Sequence, residues 1–154
     1  PFQWEPQDTP ESLTAKQKHL LSSTTSRKIT ISYHQSETSV LEGVFARGDR
    51  RLGEVIYKAW QKGCKFDAWD EFFDFSKWSE AFNECGLTTE FYANRRREYD
   101  EILPWDVMDY GIRKEFLIEE NKKAHESVTT PQCRIKCAAC GANKLNGGKC
   151  DARS

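Results

Sequence analysis

The feature that most constrains this chain is the cysteine spacing near its C-terminal end. Four of the six cysteines fall within residues 133–150, at Cys133, Cys137, Cys140 and Cys150. Soft thiolates that converge on one point, with glycines that let the backbone turn around them, are typical of a small metal site. The pattern predicts that these four cysteines bind a structural zinc ion or an iron–sulfur cluster. Disulfide pairing is the alternative.

The composition favours a metal over disulfides. Charged residues make up 31% of the chain, yet the net charge is −1, so nothing attracts it globally to nucleic acid or membrane. No apolar run is long enough to span a bilayer, and no signal-peptide pattern is present. We therefore expect a reducing, cytoplasmic location and no membrane partner. Because the chain begins at Pro1 within an apolar and aromatic phrase, we interpret it as part of a longer protein.

Helical patterns dominate the sequence before the cysteines. Thr9 as N-cap with Pro10 in the first turn predicts a helix that runs to Leu21. Further helices are predicted to begin at a Ser39–Glu42 capping box, at Asp49, at Ser76, at Thr88 and near Arg113. The predicted fold is mainly α: a helical domain with one or two short strands and a cysteine-rich metal-binding tail.

Two segments interrupt the helical pattern. Residues 28–34 alternate apolar and polar side chains, which is the period of a half-buried strand. Residues 64–75 are crowded with aromatic and acidic side chains. We expect their rings to insert into the core and their acids to face water.

The remaining reactive residues favour structural roles. Cys64 and Cys85 lie in apolar surroundings typical of buried small side chains. His19, His34 and His125 show no ligand spacing, and Arg95 to Arg97 are followed by compensating acids, which favours an ion-paired surface over an RNA site. We assign no catalytic residue and no cofactor-binding residue.

The first three tail cysteines have the spacing of a known catalytic motif. Cys133-x3-Cys137-x2-Cys140 resembles the three-cysteine loop by which radical S-adenosylmethionine (SAM) enzymes hold a [4Fe–4S] cluster with one open iron. That loop follows the first strand of a large barrel and usually has an aromatic residue before its third cysteine, where this chain has Ala139. With Cys150 as a fourth ligand, a closed structural or auxiliary site is favoured.

Four phrases in order resemble the C-terminal region of an uncharacterised family of cobalamin-binding radical SAM proteins. The first phrase is Pro1 to Trp4 with Gln7, Pro10, Glu11 and Lys16, and the second is residues 45–52. The third is residues 66–69 with Phe73 and Asp74. The fourth is residues 103–106 with Gly111 and residues 114–117, which leads to the cysteines. The family places a last cysteine shortly after the Cys-Gly pair, where this chain has Asn143. Cys150 would then be the fourth ligand, or the site has three.

The resemblance implies three regions. Residues 1–34 would be the strand, helix and strand that close a radical SAM-type barrel, 35–128 a helical C-terminal domain, and 129–154 the metal-binding tail. It further implies that the SAM and cobalamin sites belong to upstream domains of the same protein and that this chain is not catalytic alone. The substrate is not specified, and RNA is one candidate.

Two other interpretations stay open from the sequence. One is a small helical zinc-knuckle module that binds a protein or RNA partner. The other is a helical domain with no bound metal and a disordered tail.

Overall fold

The computed structural model describes residues 1–148, and the described chain is mainly helical, as predicted. None of the described helices combines the length and apolar character needed to cross a membrane. The helices are α1 (Pro10–Ser23), α2 (Ser36–Ala46), α3 (Leu52–Gln61), α4 (Phe75–Glu84), α5 (Thr89–Ala93) and α6 (Lys114–His125), followed by a 3₁₀ helix (Ala142–Asn146).

The chain divides into two compact units, which are described separately. The helical unit comprises Pro6–Arg96, and the terminal unit comprises Pro1–Glu5 together with the chain from Arg97 onward. These units are defined by internal contacts. The division at residues 34 and 128 inferred from the family resemblance stays a prediction.

The core of the helical unit forms where α3 packs on α4 and α2 packs on α5. It is apolar. Its buried members on these four helices are Val40, Leu41, Val44, Leu52, Val55, Ala59, Trp78, Ala81, Phe82, Tyr92 and Ala93. Burial of these side chains is the main stabilising contribution to this unit.

The ends of the helices largely agree with the sequence signals. Thr9 and Thr88 cap α1 and α5, because each side-chain oxygen accepts a hydrogen bond from a backbone N–H three residues later. Gly63 and Gly86 follow α3 and α4 with φ of 92° and 64°, the left-handed conformation that glycine adopts without a Cβ penalty. The Ser39 capping box is wrong, since α2 already begins at Ser36.

The helical unit also brings its own two ends together. The N–H of Gln7 donates to the carbonyl of Ala93 at 2.8 Å. The side-chain amide of Asn94 donates to the carbonyls of Gln7 and Asp8, each at 3.0 Å. The entry and the exit of this unit are therefore joined by hydrogen bonds.

The predicted strand over residues 28–34 is wrong. No strand occurs in the described part of the chain, and Ile29 and Tyr33 are exposed. A strand needs a neighbouring strand to pair its backbone groups, and no described segment offers one. His34 instead accepts a hydrogen bond at its carbonyl from the Gln17 side chain, at 3.0 Å.

The prediction that residues 64–75 insert into the core is wrong for most of the rings. Phe73 and Phe75 pack against the core, but Phe66, Trp69 and Phe72 are exposed. On α3, Ile56 and Trp60 are also exposed, although their spacing with Leu52, Val55 and Ala59 would place all five on one apolar face. Because α3 packs mainly on α4, Leu52, Val55 and Ala59 are buried on α3, whereas Ile56 and Trp60 stay in solvent.

The terminal unit is organised around a buried polar side chain on α6. Asn121 is fully buried; its Oδ1 accepts from the Tyr99 hydroxyl at 2.6 Å and its Nδ2 donates to the Glu5 carboxylate at 3.0 Å. The Tyr99 ring meets the buried Trp4 edge to face, with centroids 5.0 Å apart. These contacts fix the first five residues of the chain against α6.

Candidate metal centre

The cysteine segment follows α6 and opens with a turn at Cys133. The N–H groups of Ile135 and Lys136 both donate to the Gln132 carbonyl, at 2.9 and 3.3 Å. Cys133 lies inside this turn and is exposed. An exposed sulfur on a short turn can approach a metal without displacing any core side chain.

The second turn runs from Cys137 to Gly141 and is already shaped around a sulfur. The Ala139 N–H donates to Cys137 Sγ at 3.4 Å. Ala139 and Gly141 have φ of 51° and 98°, so the backbone reverses tightly between Cys137 and Cys140. This hydrogen bond and the two left-handed residues fix the position of the Cys137 sulfur relative to the turn.

Arg113 clamps this second turn. It is the N-cap residue of α6, and its guanidinium Nε and Nη2 donate to the Ala139 carbonyl at 3.0 and 2.6 Å. Its backbone N–H donates to the Cys140 carbonyl at 2.9 Å. The start of α6 thus fixes the cysteine turn and places a positive charge beside it, which offsets the charge of bound thiolates.

Two glycines make the close approach possible. A Cβ on Gly141 would lie 2.8 Å from both Arg113 Cγ and the Gly111 carbonyl oxygen. A Cβ on Gly111, whose φ is 77°, would lie 2.7 Å from Leu145 Cγ in the 3₁₀ helix. Three segments therefore interlock at this point, and only glycine fits at both positions.

The 3₁₀ helix that follows turns the chain back on itself. The Asn143 side-chain amide donates to the Gly148 carbonyl at 3.1 Å, and the Gly148 N–H donates to the Asn143 carbonyl at 2.8 Å. Asn143 therefore closes this loop. Its role is structural.

The predicted ligands are not gathered into a complete site. Cys133 and Cys137 are exposed, Cys140 is half-buried, and Cys150 lies outside the described residues. Within residues 1–148 no three His, Cys, Asp or Glu side chains are close enough together to hold a metal ion. No disulfide joins two of the described cysteines. The structure does keep the Cys137 sulfur exposed on a turn whose backbone is fixed by the Arg113 clamp.

The other cysteines and the histidines have structural surroundings. Cys64 is buried, and burial raises the pKa of its thiol above the ordinary value of 9.0, so it stays protonated and unreactive near neutral pH. Cys85 packs at the edge of the core. His125 Nε2 lies 2.9 Å from Glu5 Oε1 in the terminal unit, within the network of Asn121.

An arginine cluster was missed by the sequence analysis. Arg51 and Arg95 lie over the Phe91 ring, and Arg47 Nη1 donates to the nearby Ala93 carbonyl at 3.1 Å, because contacts between α2 and α5 bring two distant arginine runs together. The Arg95 and Arg51 guanidinium carbons lie 4.5 and 5.4 Å from the Phe91 ring centroid. Arg51 also binds Asp49 through two nitrogens, and this hydrogen bonding lowers the pKa of Asp49 below 3.8.

Arg97 agrees better with the sequence interpretation. It is buried in the terminal unit, where its Nε lies 3.9 Å from Glu101. It therefore belongs to an intramolecular ion pair.

Comparisons with known proteins identify no family. No protein-family model, curated protein or solved structure matches this chain. Function must therefore be argued from the residues themselves.

Proposed function

We propose that this chain is the C-terminal region of a cobalamin-binding radical SAM enzyme and carries an auxiliary or structural metal site. Cys133, Cys137, Cys140 and Cys150 are the proposed ligands, and an iron–sulfur cluster or zinc is the proposed metal. SAM and cobalamin would bind to upstream domains of the same cytoplasmic protein. The chain alone would perform no radical chemistry.

The observation that carries the metal site is the clamped turn at Cys137. The Ala139 N–H points at Cys137 Sγ. The Arg113 guanidinium binds the Ala139 carbonyl, which lies between Cys137 and Cys140. A polar segment with exposed thiols gains stability when a metal holds it together. A bound metal would hold the tail against the start of α6.

The placement beside a barrel is supported by the apolar surface of α1. None of its residues is fully buried, and Leu20 and Leu21 are exposed. Ile29 and Tyr33 are exposed in the segment that follows. Several exposed apolar side chains within one stretch of chain are expected where another part of a protein covers them.

Metal analysis after anaerobic purification tests the proposal. We expect one cluster or one zinc ion per chain, with iron, sulfide and zinc measured together and visible absorbance as a second readout. Substitution of Cys137 or Cys140 by serine should remove the metal, whereas Cys85→Ser should retain it. A chain that binds neither metal, or that binds it equally well without Cys137 and Cys140, would exclude this site.

The second candidate is a helical zinc-knuckle module that binds RNA, and the arginine cluster around Phe91 favours it. Guanidinium groups beside an aromatic ring suit phosphate and base contacts. This candidate predicts stoichiometric zinc without visible absorbance. It also predicts single-stranded RNA binding that weakens with salt and with Arg95→Gln. Iron and sulfide in the chain, or the absence of RNA binding, would exclude it.

A further inference from the structure

The connection between α3 and α4 forms an aromatic groove in the helical unit. Its walls include Ile56, Trp60, Phe66, Asp67 and Trp78, and its volume is about 430 Å³. The groove thus combines three aromatic rings with one carboxylate. Nothing in the proposed metal site uses these residues.

The apolar surface continues beyond the groove. The Phe66 ring contacts Trp69 and Phe72, with centroids 5.8 and 6.0 Å apart. Trp60, Phe66, Trp69 and Phe72 are each more than half exposed, at 54%, 65%, 54% and 55%. Contiguous aromatic surface of this kind marks a site that contacts another molecule.

Phe66 is held outward by an unusual backbone conformation. Its φ is 60°, in the left-handed region that a bulky side chain rarely adopts. The Trp69 N–H donates to its carbonyl at 3.0 Å, which closes a turn under the ring. A residue kept in such a conformation while its ring faces solvent is better explained by a binding role than by packing.

The charges around the rings identify the kind of partner. Asp67, Asp70, Glu71 and Asp74 alternate with the aromatic residues. Asp74 binds Ser76 and Lys77, but Asp70 and Glu71 are exposed and form no ion pair with any described residue. Acids between aromatic faces attract organic cations and repel phosphate, so RNA is disfavoured here.

Apart from the Lys77–Asp74 pair, the basic residues near the groove leave Asp67, Asp70 and Glu71 without an ion pair to any described residue. Lys62, directly after α3, already pairs with Glu80 and Glu84, at 2.9 and 2.7 Å. Lys65 is exposed at the groove wall and forms no ion pair within the described residues. It can turn away from an incoming cation, because its side chain faces solvent.

We propose that the aromatic groove binds an arginine-bearing segment of a protein partner. A planar guanidinium stacks on Trp60 or Phe66 and donates hydrogen bonds to the Asp67 carboxylate, and the apolar neighbours of the arginine cover Trp69 and Phe72. Arginine fits better than lysine, because its flat, weakly hydrated group both stacks on rings and binds a carboxylate through two nitrogens. This inference does not depend on the metal site.

Fluorescence anisotropy with a labelled peptide that alternates arginine and leucine tests the proposal. The comparison peptide carries citrulline, the uncharged isostere, at each arginine. We expect the citrulline peptide to bind at least about tenfold more weakly at the same ionic strength. Equal affinity for the two peptides would overturn the proposal.

Variants of the chain locate the site. Trp60→Leu, Phe66→Gly and Asp67→Asn should each weaken arginine-peptide binding about three- to tenfold. Phe66→Gly relieves the backbone strain, so it should fold at least as well as the wild type and separates lost binding from lost folding. Glu42→Gln, with the same charge change on α2, and Ile102→Ala, an exposed apolar truncation in the terminal unit, should bind normally.

Two further outcomes would contradict the assignment. Unchanged affinity in both Trp60→Leu and Phe66→Gly would place the peptide elsewhere. Concentration-dependent dimerisation of the chain that Phe66→Gly abolishes would identify a second copy as the occupant.

Discussion

The Arg113 guanidinium donates two hydrogen bonds to the backbone carbonyl of Ala139, at 3.0 and 2.6 Å. This single contact ties the first residue before α6 to the turn between Cys137 and Cys140. It means that the proposed metal site has a supporting residue far away in sequence. Metal affinity and the start of α6 should therefore change together.

Replacing Arg113 should weaken metal binding without removing a ligand. We expect Arg113→Ala to lower the affinity for zinc about tenfold or more, as is usual when a residue that orients metal ligands is lost. Arg113→Lys should recover only part of the loss, because an ammonium cannot reproduce the guanidinium fork. Competition with a chromogenic chelator measures the affinity. Arg134→Ala, which removes an exposed arginine of the same tail, is the control, and an equal loss there would contradict the clamp.

Gly141 should not tolerate a side chain. Gly141→Ala places a Cβ against Arg113 and the Gly111 carbonyl at a φ of 98°, and we expect a cost of about 2 kcal/mol in the terminal unit. Gly147 also has a positive φ of 63° but faces open space, so Gly147→Ala should cost about 1 kcal/mol or less. Hydrogen exchange of the Arg113 N–H, which donates to Cys140, reports the difference. Equal exchange in both variants would show that the close approach is unimportant.

Asn121 should be required for the stability of the terminal unit. Asn121→Ala removes a fully buried side chain that bonds both Tyr99 and Glu5, and we expect a loss of about 2 kcal/mol in the free energy of unfolding. Urea denaturation followed by tryptophan fluorescence measures this loss. Asn83→Ala on the exposed side of α4 should change it by less than about 0.5 kcal/mol. A similar small effect at Asn121 would argue against the network.

Acid should weaken the start of α4 through Asp74. The Ser76 hydroxyl and N–H both donate to its carboxylate, and this bonding lowers the pKa of Asp74 below its ordinary value of 3.8. Because the folded-state pKa is the lower one, the cap stabilises the fold above pH 3.8 and the contribution is lost as the pH falls through the folded-state pKa. The stability advantage of the wild type over Asp74→Ala should therefore shrink on acidification. An advantage that is constant with pH would contradict this assignment.

The helices can be predicted from the sequence, but the segments that pack against each helix cannot. Caps such as Thr9 and Thr88 are local, so residue type alone locates them. The pattern of residues 28–34 predicts a strand only if another strand pairs with it, and that condition is tertiary. Likewise, the sequence shows that Phe66 and Trp60 are apolar, but not that both side chains stay exposed to solvent in the folded chain.

The candidate site was predictable to a similar degree. Cysteine spacing predicts that Cys137 and Cys140 lie on one tight turn, because that geometry is local. The Arg113 clamp joins residues separated by the whole of α6, and no short-range pattern signals it. The arginine cluster around Phe91 depends in the same way on the contact between α2 and α5.

The bond between Gln7 and Ala93 has a consequence for how this architecture arose. A segment whose first and last residues are adjacent can be added to or deleted from a host chain without stretching the flanking backbone. Residues 6–96 have this property and interrupt the terminal unit between Glu5 and Arg97. They have the topology of an inserted cassette, so a gene in which a short linker replaces them should still encode the surrounding unit.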